Sequence, residues 1–534
     1  MSITSLTFVL FLGIVFFLYH TVALKSQWVL LLVASGVFYL SFGVDKALYV
    51  LVTASTVFLA TIQMQRIVDN QKKYFSANKA TLSKDEKKVI KKRNQSKRKL
   101  IMIVTLLFNL GILCYFKYSN FAMTQLNALL VWLKCGTVNH HFSLIVPLGI
   151  SFYTFQSIGY LVDVYWENVD AEKNYFKTLL FVSFFPQMTQ GPISDYQQLS
   201  KQLYSEHQFD YKNFAWGTQR MLWGFFKKMV IADTFAPMVS DVFAHYAKYS
   251  GCSVLIGAFL YSIQIYADFS GYMDIMCGFC ETLGIRLTEN FERPYFSKSI
   301  AEYWRRWHIS LGEWFKRYIY YPIGMAGWNR SLGEKTLPYF GKHFADTLPA
   351  TIALVLVWLA TGLWHGASWA YITWGLVNGL FIIFSLWMEP IYAVICKKLH
   401  IVETNPVWCV FQIVRTFILV TFIKVLPEVG TLSEGCSLLK RIFVNHDIPH
   451  GLKAMMPFVD WSLGFGRASF AIAIVGTITM FVVSVIQTKN HARYYFNKIP
   501  FLLRVFLLAM LVSIIIGFGV RATWGTKGFM YENF

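Results

Sequence analysis

Two histidines in this chain stand where an imidazole could do acid–base chemistry. His365 lies in TGLWHGASW, where one long apolar run ends and another begins. An ionisable side chain at membrane depth is costly and marks function by default. Burial lowers an imidazole's pKa, which keeps it neutral and able to accept a proton. Gly362 and Gly366 flank His365 and leave room for a second helix or a substrate; from context alone, a core histidine satisfied by a neighbouring carbonyl is the competing reading. His308 ends the run WRRWH, after Trp304, Arg305, Arg306 and Trp307. Set between aromatic packing and a cationic pair, it could orient a substrate whose anionic end meets Arg305 and Arg306, because guanidinium matches phosphate geometry. The competing reading has the arginines snorkelling to lipid phosphates and His308 merely interfacial. Asp268 and Asp274, in QIYADFSGYMD, fall inside an apolar segment. They read first as counter-ions to cations from the 286–317 region and second as catalytic acids. The histidines at 140, 141, 207 and 446 sit in polar connections, where solvent exposure is a sufficient explanation.

The elements that must hold these groups are membrane helices. The chain has 534 residues, 55% hydrophobic and only 15% charged, with a mean hydropathy of +0.45. Globular domains carry roughly 25% charged residues, so an ordinary water-soluble enzyme is excluded. Apolar stretches near the ~20 residues that cross a bilayer occur at 3–22, 27–43, 46–65, 100–118, 142–162, 253–280, 348–364, 368–388, 407–426, 466–487 and 501–522. Interrupted ones lie near 175–193 and 214–245. The expectation is an all-α, polytopic integral membrane protein with about eleven to thirteen transmembrane or re-entrant helices. The first stretch lacks a basic n-region and a small-residue cleavage site, and reads as a retained transmembrane helix.

The net charge of +20 is uneven. Residues 66–99 hold thirteen basic and three acidic side chains. Placed between apolar stretches, this loop belongs in the cytoplasm against anionic lipid, with the N-terminus outside. No aromatic residues interleave with the lysines at a stacking spacing, so no nucleic-acid partner is expected. Residues 181–196, FVSFFPQMTQGPISDY, put Pro186, Gly191 and Pro192 in an apolar setting. Such broken backbone is either buried at membrane depth or a loop at the headgroups. From Ile300 to Tyr318 apolar and charged residues alternate at helical spacing, which predicts one amphipathic helix. The eight cysteines are scattered and give no disulfide framework. Cys277 and Cys280 lack a second pair or a histidine at ligand spacing, so no metal site is expected.

In order along the chain, PLGISFYTFQ (147–156), QGPISDYQQL (190–199), QIYADFSGYMD (264–274), NFERPYFSKSIAEYWRRWHISLGEWFKRYIYYPIG (290–324) and GLWHGASW (362–369) resemble the membrane-bound O-acyltransferases. The similar branch is that of alginate O-acetylation proteins and teichoic-acid D-alanyltransferases. The resemblance implies acyl transfer through a tunnel, with catalysis at His365 and support from His308. The donor would be a cytoplasmic thioester, acetyl-CoA or an acyl carrier, with no tightly bound cofactor. The C-terminal GFMYENF contains Phe529, Tyr531 and Phe534, similar to the end of a small partner peptide of the D-alanylation system. It implies that Tyr531 carries the acyl group toward an extracytoplasmic, serine-hydrolase-like partner and a polysaccharide or peptidoglycan hydroxyl; a frayed aromatic tail is the competing reading. Asn378 replaces a histidine usual in the pattern, and Gln190 a small residue.

The organisation expected is an N-terminal helical region over 1–139, a catalytic core over 140–390, and C-terminal helices with the tail over 391–534. The site would comprise His365, His308 and Tyr531 as catalytic groups, with Arg305, Arg306 and Trp304 binding substrate, in a cytoplasmic membrane. Two other functions remain open on the sequence: D-alanyl transfer to teichoic acid, and solute transport, although no paired repeat is evident.

Overall fold

In a computed structural model, the described residues are 2–138, 142, 146–147, 149–444, 447–461, 466–487 and 492–520. His140, His141, His446 and the tail with Tyr531 lie outside them. Among the described residues the chain is all-α, with one isolated bridge between Phe291 and Trp307 and no strand. Eight of the described helices are long and apolar enough to cross a bilayer, and the chain is a multi-pass membrane protein. The expected stretches at 3–22 and 27–43 form shorter apolar helices.

The chain divides into two compact units. The first, mainly residues 6–214, begins with α1 (Leu6–Thr21), α2 (Gln27–Leu40), α3 (Val44–Ala77) and α4 (Lys84–Trp132). The basic segment 66–99 is not an extended loop: α3 and α4 run through most of it as a helical hairpin. Ser83 starts α4 with a reciprocal capping box to Glu86, which satisfies two amide groups that a helix start leaves free. Asn94 donates to Gln71 across the pair at 2.9 Å. At the base, Arg98 is buried and bonds to Glu167 and the Tyr165 carbonyl.

The broken segment is interior. After α5 (Ile150–Tyr165), α6 (Tyr175–Ser183) and a single turn α7 (Phe185–Met188), the backbone runs irregularly to α8 (Tyr196–Leu203). Residues 180–194 are all buried. Gln156 donates to the Phe181 carbonyl at 2.8 Å, and the Phe185 amide to Ser35 Oγ at 3.2 Å. Side chains thus replace the bond from the Phe185 amide to the Phe181 carbonyl that a continuous helix would make, lost at the break just before Pro186. Gly149, at φ 71°, leads into α5 where a Cβ would lie 2.1 Å from the Met188 carbonyl oxygen, so no larger residue fits.

The second unit, mainly 215–279 and 289–534, contains most of α9 (Tyr211–Phe225), α10 (Asp233–Ala244), most of α11 (Gly251–Thr282), α12 (Ile300–Arg306), α13 (Ile309–Phe315), α14 (Tyr321–Gly324), α15 (Gly327–His365) and α16 (Trp369–Trp387). It continues through α17 (Glu389–Lys398), α18 (Pro406–Val425), α19 (Leu432–Ile442), α20 (Ile448–Trp461), α21 (Arg467–Ile486), α22 (Ala492–Phe496) and α23 (Phe501–Phe518). Gly341, at φ 77°, kinks α15 into an exposed first part and an apolar second part. The predicted single helix over 300–318 is also broken, at Trp307 and His308.

Candidate active site

The break between α12 and α13 follows from residues that precede it. Ser299 caps α12, accepting from the Glu302 amide at 3.1 Å. The helix stops when Trp307 turns extended and pairs with Phe291. Asn290 then holds the restart: its carbonyl accepts from the Ile309 amide at 3.1 Å and its Oδ1 from the Ser310 amide at 2.9 Å. His308, between the helices, takes a left-handed conformation at φ 51° and ψ 52°. A non-glycine residue there stores strain of about 1–3 kcal/mol, which recurs at functional positions.

His365 is positioned by a second break. It is the last residue of α15; Gly366 is extended, and Ser368 caps α16 by accepting from the Tyr371 amide at 3.3 Å. The two helices cross at glycines. A Cβ on Gly362 would lie 2.6 Å from the Tyr371 carbonyl oxygen, and one on Gly375 2.4 Å from that of Trp358. Small residues at such a crossing let backbones touch, as membrane helix pairs require.

Both histidines are buried, His308 at 2% and His365 at 4% exposure. They meet at one indole: the Trp364 ring centroid lies 5.7 Å from that of His308 and 4.8 Å from that of His365. Phe269 faces His308 edge-on at 4.9 Å, while Trp374 at 4.8 Å and the nearly parallel Tyr371 at 6.3 Å wall His365. Burial pushes the His308 imidazole down to about 3, so it is neutral at physiological pH.

Trp304 joins the same wall. Its ring contacts Trp358 at 5.0 Å and Trp374 at 5.5 Å, and its Nε1 donates to Asn378 Oδ1 at 2.9 Å. Asn378 thus anchors an indole that packs against the His365 wall. The arginines are placed differently. Arg305 is exposed, and Arg306 pairs with Glu302 at 2.7 Å, one helical turn away. Neither is brought to the two histidines by the contacts just described.

Asp268 and Asp274 are counter-ions, and the cations that pair with them lie at 220–228, upstream of the 286–317 region that the sequence suggests. A π-helical stretch, Phe226–Ala232, supplies Lys227 and Lys228. Lys227 bonds Asp274 at 2.7 Å, Lys228 bonds Asp268 at 2.6 Å and Asp233 at 2.8 Å, and Arg220 bonds Asp274 at 2.9 Å. The wider turn lets consecutive lysines both face inward, which α-helical periodicity does not anticipate. His207 also differs from its solvent-exposed reading: it is half-buried, 3.1 Å from the Tyr19 hydroxyl. A residue the sequence did not single out is Lys424, whose ammonium lies 3.8 Å from the centroid of Trp307, beside His308.

Residues 168–423 match the profile of MBOAT, the membrane-bound O-acyltransferase family. The chain is 34% identical over 386 residues to a probable alginate O-acetylase AlgI of Pseudomonas syringae pv. tomato, covering 71% of this chain and 65% of that protein. It is 32% identical over 329 residues to the peptidoglycan O-acetyltransferase of Helicobacter pylori, covering 57% and 58%. A teichoic acid D-alanyltransferase of Streptococcus thermophilus is 25% identical over 250 residues, covering 46% and 58%. The chain spans less than two thirds of the length of each of these curated relatives.

Proposed function

We propose that this chain, which carries a domain of the membrane-bound O-acyltransferase family across residues 168–423, moves an acyl group across the cytoplasmic membrane. The group is acetyl, taken from a cytoplasmic thioester such as acetyl-CoA or an acyl carrier. The final acceptor is a hydroxyl of a cell-surface polysaccharide or peptidoglycan, reached through an extracytoplasmic serine-hydrolase-like partner. The observation that carries this reading is the meeting of His308 and His365 at Trp364, inside the family segment and at two breaks in otherwise helical backbone.

His365 acts as general base. It takes the proton of the attacking hydroxyl as the new C–O bond forms; the thioester C–S bond then breaks, and the imidazolium returns that proton to the departing sulfur, which leaves as the thiol. Such assistance contributes ~10²–10⁴-fold. A buried imidazole walled by aromatic rings suits this role. His308 supports the site from the other edge of Trp364. Trp304 forms part of the wall; Arg305, exposed on α12, and Arg306, half-buried beside Glu302, engage the anionic end of the donor. Tyr531 is the first hydroxyl acceptor and hands the acyl group outward. Its phenol, with an ordinary pKa near 10, needs the base. The basic α3–α4 hairpin faces the cytoplasm, which puts the N-terminus outside.

Acetyl is preferred over D-alanyl because the O-acetylating relatives match at 34% and 32% identity and the D-alanyl relative at 25%. In lipid nanodiscs with labelled acetyl-CoA, the purified protein should release CoA, and His365→Ala should abolish the release. Unchanged turnover in that variant would remove the general-base role.

A further inference from the structure

Lys424, near the end of α18, is a buried cation that the proposed chemistry leaves without a role. It is 6% exposed, and among the described residues no carboxylate lies within ion-pairing distance of it. Three aromatic rings surround it instead: Trp307 at 3.8 Å, Tyr295 at 4.9 Å and Tyr303 at 5.1 Å from the ammonium to the ring centroids. The ammonium also donates to the Tyr295 hydroxyl at 2.9 Å. That hydroxyl donates in turn to the Ser262 carbonyl, and Ser262 Oγ to Thr421 Oγ1 at 3.0 Å, so the cage is tied back to α18.

Burying an ammonium at the end of a membrane helix is expensive, and a methionine of similar length would stabilise the fold as well or better. The π faces offset part of that cost. What the charge adds is a directional hold on Trp307, the residue that ends α12, pairs with Phe291 and precedes left-handed His308. Trp307 also packs on Tyr303, nearly parallel, at 5.6 Å, and meets Phe291 edge-on at 5.0 Å. With the ammonium on the indole and Asn290 bonded to the two amides that follow His308, the corner is fixed from both sides.

We propose that Lys424 is a positioning residue for the histidine site: its ammonium, seated on Trp307, locks the Trp307–His308 corner and so holds the His308 imidazole against Trp364. The kinetic arm of the test rests on the acyl-transfer reading; a second arm does not. Lys424→Met should leave the melting temperature equal or higher while kcat for CoA release falls about 30-fold at unchanged KM. That factor corresponds to the ~2 kcal/mol of a desolvated cation–π contact. Lys424→Arg, which keeps a cation over the indole, should restore most of the loss. In a double-mutant cycle with Trp307→Phe, the losses should not add, because both act through one contact.

The second arm measures carbethoxylation of His308 by diethyl pyrocarbonate, followed by peptide mass spectrometry. It should accelerate in Lys424→Met and return to the slow wild-type rate in Lys424→Arg. Wild-type kcat and His308 reactivity in Lys424→Met would overturn the proposal, as would additive losses in the cycle. A wild-type chain inactive on every thioester offered, yet showing this His308 pattern, would retract the acyl-transfer reading and leave the positioning role standing.

Discussion

Gly362→Ala tests whether the α15–α16 crossing sets the position of His365. The added Cβ would lie 2.6 Å from the Tyr371 carbonyl oxygen and 3.0 Å from the Ile372 Cα, both backbone atoms that no rotamer change can move. Restoring ordinary contact requires the helices to part by about 1 Å, since packed interiors hold no such slack. Overpacking of this kind costs roughly 1–3 kcal/mol, and the better helix propensity of alanine returns about 1 kcal/mol. The net effect on stability is therefore small, about 0–2 kcal/mol. The effect on chemistry is larger. Gly362 lies one turn before His365, and Tyr371, whose carbonyl is struck, is the residue stacked on the imidazole at 6.3 Å. A shift of about 1 Å at reacting groups costs about 10²-fold in rate. The assay is release of CoA from acetyl-CoA in nanodiscs, with the melting temperature followed in parallel. Gly327→Ala, in the same helix with nothing within 4 Å of the added Cβ, is the control and should match wild type. A Gly362→Ala protein turning over within about twofold of wild type would refute the link between the crossing and the site.

Two further outcomes can be measured. His308 has a folded-state pKa of about 3, below the ~6.5 of an unfolded histidine, so the unfolded chain binds more protons between those values. Its contribution to stability is complete above pH ~6.5 and is lost as pH falls toward 3; the melting temperature should decline between pH 6.5 and 4.5 more steeply in wild type than in His308→Gln, and equal slopes would contradict the burial argument. Tyr531→Phe should abolish labelling of the C-terminal peptide by acetyl-CoA while leaving the fold intact, and persistent export of acetyl groups in cells carrying that variant would end the relay.

What is legible in the sequence follows from patterns the chain states locally. The long apolar helices of the second unit stand where apolar runs predict them, as at 368–388 against Trp369–Trp387 and 466–487 against Arg467–Ile486. His365 is legible because it interrupts two such runs, and Trp304 because it lies beside His308. The basic segment 66–99 reads as a loop because its lysines lack an apolar stripe, yet Lys and Arg are good helix formers and Ser83 with Glu86 supplies the start. The partners of Asp268 and Asp274 escape the sequence for a different reason. Their lysine partners lie about forty to fifty residues upstream in a π-helical stretch, with Arg220 further back in α9, and no periodicity marks where a helix will widen by one residue.

At His308 the sequence argues against the break that the fold makes. Residues 300–318 keep helical spacing throughout, and a lone pattern would run one helix straight past Trp307. Three distant contributions override that local preference. Asn290 takes the two amides that follow His308, Phe291 pairs with Trp307, and Lys424 sits on the indole from a helix more than a hundred residues away. Each contribution is modest beside the bonds an unbroken helix would keep. Together they hold a left-handed histidine that no local preference would choose, and they do so where its ring meets Trp364. A fold seeking only stability would have left this helix whole and put an apolar residue at 424. That both concessions converge on one corner beside a buried histidine is the physical ground for placing the chemistry there.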